Sequence, residues 1–108
     1  MLGIFVNEQF VFEYDTSTEL DDQQLAFLQK MDADMDKGIK IYGELIVKPD
    51  SEAKANFVVM NLLKSLQQQD DAKIGVSCAY LSQNYPNVVE VHARDEGNRI
   101  GVELVESH

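Results

Sequence analysis

With 108 residues, 44% of them apolar, the chain is long enough to bury a core without staples and too apolar for disorder to be the default. Its one cysteine, Cys78, excludes an internal disulfide and any cysteine-based zinc site, and a reducing compartment follows as the simplest setting. A net charge of −10 repels phosphate, so nucleic acid is not expected as a partner.

The acidity is uneven. Residues 1–36 hold nine acids and one base, a net −8, whereas residues 37–108 hold ten acids and eight bases, a net −2. The simplest role for such charge is solubility. No apolar run approaches the ~18 residues of a membrane helix. The N-terminal MLGIFVNEQF has neither a basic segment nor a long apolar one, so no signal peptide is expected. A cytoplasmic protein is the expectation.

Residues 3–14 predict strand. Phe10, Phe12 and Tyr14 alternate with Val11 and Glu13, and Ile4-Phe5-Val6 forms a second run before Asn7-Glu8-Gln9. Both a hairpin with a short loop and one bent strand fit this pattern. Asp15-Thr16-Ser17-Thr18 is turn chemistry, with Ser17 or Thr18 available as a helix cap. Glu19, Asp21 and Asp22 then fall in the first turn, where the helix dipole favours negative charge.

Residues 38–47 support two assignments. Leu28, Met31, Met35, Ile39, Tyr42 and Ile46 form an unbroken stripe at helical spacing. Ile39, Ile41, Leu45 and Val47 alternate as a strand does, and Gly38 and Gly43 each cost a helix about 1 kcal/mol relative to Ala. The unbroken phase favours one long helix over about 18–47, ended by Pro49.

The next helix, 51–69, is the most strongly marked. Val59, Leu62, Leu63 and Leu66 form a core stripe, which Phe57 and Met60 widen well past 100°. Lys54, Asn61, Lys64, Ser65 and Gln68 leave only a narrow polar edge. A helix this apolar is expected to be covered on two sides. A third helix over 72–84 is predicted from Ile74, Cys78, Leu81 and Tyr85, with Asp71 as its cap and Tyr85-Pro86-Asn87 as its stop.

The C-terminal 87–105 predicts a hairpin, with Val89, Val91 and Ala93 facing Ile100, Val102 and Leu104. A four-residue loop would oppose Glu90 to Glu103 and Arg94 to Arg99, both like-charge pairs. A two-residue Gly97-Asn98 turn opposes His92 to Glu103 instead and is favoured.

Asp32-Ala33-Asp34-Met35-Asp36-Lys37-Gly38 resembles the start of an EF-hand calcium loop. The resemblance covers seven residues: Lys37 stands where that family places Gly, and the twelfth position, which needs a bidentate Glu, is Gly43. Asp32, Asp34 and Asp36 are therefore candidates for weak divalent-cation binding, or solvated acids on a helix. On a helix, only Asp32 and Asp36, one turn apart, could share an ion. His92, flanked by Glu90 and Arg94, is a lone strand histidine, and His108 is terminal. Cys78 lies on an apolar stripe with the character of a small buried hydrophobe. No phosphate loop, nucleophile elbow or His-Glu-x-x-His motif is present.

Together these features predict one α+β domain over 1–108. An antiparallel sheet, from 3–14 and the 87–105 hairpin, is packed on one face by helices near 18–47, 51–69 and 72–84. The expected function is a non-enzymatic interaction or structural module without catalytic residues or cofactor, forming a homodimer. The alternatives are a weak cation binder through Asp32, Asp34 and Asp36, and an acidic decoy for a basic partner.

Overall fold

The structure, a computed structural model, describes residues 1–41, 43–97 and 99–107. Tyr42, Asn98 and His108, each invoked above, lie outside the described residues. The elements run β1 (Leu2–Val6), β2 (Gln9–Tyr14), α1 (Asp22–Asp36), β3 (Ile39–Ile41), β4 (Glu44–Ile46), α2 (Ser51–Gln68), α3 (Asp71–Asn84), β5 (Val88–Asp95) and β6 (Ile100–Glu106). The fold is α+β, with a four-stranded sheet in the order β2-β1-β5-β6 and a separate β3–β4 hairpin.

The sheet is mixed rather than wholly antiparallel. β1 pairs with β2, and β5 with β6, antiparallel, but β1 and β5 run parallel. Leu2, Ile4, Val91 and Ala93 on those two central strands are each at most 1% exposed, as a parallel pair requires. The edge strands carry half-buried Phe12, Tyr14, Ile100, Val102 and Leu104 against the same core.

Turn chemistry sets both long hairpins. Asn7 and Glu8 both have positive φ, 51° and 70°, which is the two-residue turn that matches strand twist. In the β5–β6 hairpin His92 opposes Glu103, the register that avoids the like-charge pairs. An irregularity between Val88 and Glu90 changes one detail, because Val88 is buried there and Val89 is 36% exposed. In β2 the register shifts so that Phe5 opposes Phe10 and Ile4 opposes Phe12, leaving Val11 as the extra residue.

The predicted helix over 18–47 is corrected at both ends. It starts later because Asp21, not Ser17 or Thr18, is the cap, in a capping box with Gln24. It ends at Asp36, where Lys37 and Gly38 donate backbone bonds to Asp34 and Met35 and tighten the last turn. Gly38 and Gly43 then take φ of +133° and +78°, which no right-handed helix accommodates. Residues 39–46 form a hairpin in which Ile39 opposes Ile46. The helical spacing misled because cross-strand pairing brings the same two isoleucines to one face.

α2 and α3 match their predicted ranges closely. Asp50 caps α2, and Asp70 rather than the expected Asp71 caps α3, by accepting from the backbone of Ala53 and Lys73. Gln69, left-handed at φ 55°, closes α2. The more enclosed helix is α3, whose Ser77 to Leu81 are five consecutive buried residues. α2 buries Ala55, Val58, Val59, Leu62 and Ser65, whereas Phe57, Met60, Leu63 and Leu66 stay half-buried. Its second apolar side is incompletely covered.

Gly38→Ala separates strand from helix by the sign of its effect. At φ +133°, with a Cβ 3.3 Å from Leu45, the substitution should cost about 1–3 kcal/mol in urea melts. A helical segment would instead gain about 1 kcal/mol, and a stabilised variant would contradict the hairpin.

Candidate functional site

The acidic cluster is the first candidate to resolve. Asp32 and Asp36, one turn apart on α1, converge on the Lys54 ammonium of α2, with Nζ 3.1 Å from Asp32 and 2.6 Å from Asp36. The Tyr80 hydroxyl of α3 donates to the same Asp32 oxygen at 2.6 Å. Asp34 is directed elsewhere and pairs with Lys37 at 3.7 Å on the surface. Two of the three carboxylates are thus brought together, on a cation supplied by the chain itself. Among the described residues no group of three or more His, Cys, Asp or Glu is placed to hold a metal ion.

This knot ties α1 to α2 and α3. Lys54, assigned from the sequence to α2's polar edge, has a side chain only 13% exposed. Tyr80 is 1% exposed, and its hydroxyl would be costly to bury without Asp32. The Tyr80 hydrogen bond, then the Lys54 contacts, hold the Asp32 carboxyl below its usual range. Burial and Asp32 push the Tyr80 phenol up. The Asp36 hydrogen bond, then Asp32, raise Lys54.

The other singled-out residues are engaged structurally. His92 stacks on Phe5 at 4.4 Å between ring centres and lies 2.9 Å from Glu90. Cys78 is fully buried, and burial pushes its thiol up to about 12, far from the reactive range. Ser65, buried on α2, donates to the Asn61 carbonyl at 2.8 Å. Among the described side chains no buried polar atom lacks a partner.

A groove of about 780 Å³ lies between α2 and the end of the sheet. Phe57, Met60, Leu63 and Leu66 form one wall, and Val6, Val11 and Ile100 face them. Lys40, Lys64 and Arg99 border it, with Asp95 the one acid in the lining. The volume lies within the ~300–1,000 Å³ of ligand sites, but the groove is open along one side. Sequence reading misses it because a stripe as wide as that of α2 leads to the expectation of two-sided cover. That width was nonetheless the available signal: half-buried Phe57 and Met60 line the groove.

The knot makes acid stability depend on Tyr80. A carboxyl depressed by folding contributes stability above its unfolded pKa of about 3.9, and the contribution is lost as pH falls through the lower folded value. Tyr80→Phe should therefore cost about 1 kcal/mol at pH 7, discounted for the partial exposure of Asp32, and raise the pH of acid unfolding. Chemical denaturation from pH 2 to 7 measures this. A loss that stays constant down to pH 2 would contradict the bond.

No family model, curated protein or solved structure matches this chain.

Proposed function

We propose that the chain is a non-enzymatic interaction module working in the cytoplasm. The observation that supports this most is the half-buried second side of α2, an apolar wall that the described residues facing it cover only in part. A contiguous open apolar surface on an otherwise charged protein is characteristic of a site for a partner. The side chains best suited to catalysis support a non-catalytic reading, since Cys78 is buried and protonated, and Tyr80 and His92 are bonded to carboxylates. No described helix is long and apolar enough to cross a membrane. The net charge of −10 disfavours nucleic acid as the partner.

Homodimerisation is the assembly we propose, and a different surface supports it. β2 is an edge strand, and its Phe10 and Val11 are 56% and 44% exposed. An uncovered apolar edge is a template for pairing with a second copy, and antiparallel pairing of β2 with itself gives a closed two-fold interface.

Sedimentation velocity at micromolar concentration, followed by crosslinking in host extract, tests both statements. The wild type should sediment at twice 12.2 kDa, and Phe10→Lys should return it to monomer. A strict monomer would contradict the dimer, and a monomer that also gains no component from extract would contradict the interaction module.

A further inference from the structure

We infer that the groove between α2 and the sheet end receives an acidic amphipathic helix of a partner protein. Its apolar stripe would lie on Met60, Leu63 and Leu66, and its carboxylates would face Lys40 and Lys64. This inference rests on the interaction reading and names the partner's chemistry.

Charge carries the first part of the argument. The chain has nine bases and nineteen acids, yet three of the bases and one of the acids line the groove. Lys40 and Lys64 are exposed and make no ion pair among the described residues. A cationic rim on a protein of net charge −10 is a local inversion of sign, and it steers an anionic partner to this place.

Shape carries the second part. Because the groove is open along one side, its occupant keeps one face in water. A simple hydrocarbon chain would leave much of its apolar surface wet there, whereas an amphipathic helix has a polar face to present. The α2 wall from Phe57 to Gln67 is roughly 15 Å long at ~1.5 Å per residue. That is nearly three turns, enough for anchors at i, i+3 or i+4, and i+7. Met60 lines the groove without belonging to the buried core or its packed margin, whereas Phe57, Leu63 and Leu66 also pack against the core, so Met60 is the wall residue most free to take a contact.

The test is anisotropy titration with a fluorescein-labelled 18-residue helical peptide. It carries Leu on an i, i+3, i+4, i+7 stripe and Glu elsewhere. A counterpart with Lys for Glu and, separately, dodecanoate as an unlabelled competitor complete the set. The acidic peptide should bind saturably, at least ~10-fold tighter than the basic one, and more weakly as salt rises. Met60→Asp should abolish binding, and the double variant Lys40→Glu, Lys64→Glu should weaken it by at least ~10-fold. Lys37→Glu, away from the groove, should leave it unchanged. Far-UV dichroism checks that each variant folds; should Met60→Asp fail, the exposed double charge reversal decides. Equal binding of the two peptides, no saturation up to ~1 mM, or wild-type binding by the groove variants would overturn the inference. Displacement or binding by dodecanoate without any peptide binding would overturn it in favour of a small amphiphile. Each of these failures leaves the sedimentation result standing, so it is separable from failure of the interaction reading.

Discussion

The structure depends on how α2 is covered: one side is sealed in the core, and the adjacent side, through Phe57, Met60, Leu63 and Leu66, is only half-buried. The sealed side, through Val58, Val59 and Leu62, joins the common core with β1, β5 and α3. α1 is held by Leu28 and Met35 in the core and by a polar knot, in which Lys54 and Tyr80 both reach Asp32 and tie α1 to α2 and α3. The chain then turns sharply at Gly38 and returns as a short hairpin rather than continuing as helix. A continued helix would have brought further apolar turns into the packing. Among its described residues the hairpin supplies Ile39, Ile41 and Ile46 to the core and its margin, and the far side of α2 faces the sheet end across a groove.

Polar groups follow the opposite rule and are consumed internally. The features that resemble chemistry in the sequence, an acidic triplet, a histidine beside a glutamate, a lone cysteine, all resolve into bonds or burial that stabilise the fold. Lys54 shows how this works energetically. Two carboxylates compensate a largely covered ammonium, where an unpaired one would be strongly unfavourable, and the Tyr80 hydroxyl donates to one of those carboxylates. The groove that we propose for function is defined by apolar contact and by the sign of the charges at its rim.

Local rules carried much of this fold in the sequence. The limits of α2 follow from Asp50 and its apolar spacing, the register at His92 and Glu103 follows from avoiding like-charge pairs, and Cys78 is buried as its stripe implied. The failures are where two local rules disagreed or where the decisive contact is distant. Met35, Ile39 and Ile46 satisfy a helix and a hairpin alike, and only the positive φ of Gly38 and Gly43 separates them. The parallel pairing of β1 with β5 joins Gly3 to Glu90, and the Tyr80–Asp32 bond spans 48 residues. Nothing at either end of these contacts announces the other. For the candidate site, the composition of the wall is legible in Phe57 and Met60, but the gap between them and Val6, Val11 and Ile100 is a property of the whole fold.

The central claim is that one side of α2 is open while the adjacent side is sealed. Methyl resonances of the free protein, recorded with a soluble paramagnetic agent, test it directly. Leu62 is fully buried and Met60 lines the groove two residues earlier. The account predicts strong relaxation enhancement at the Met60 methyl and almost none at the Leu62 methyls. Equal protection of both would mean that α2 is covered on two sides and that the groove is closed in solution.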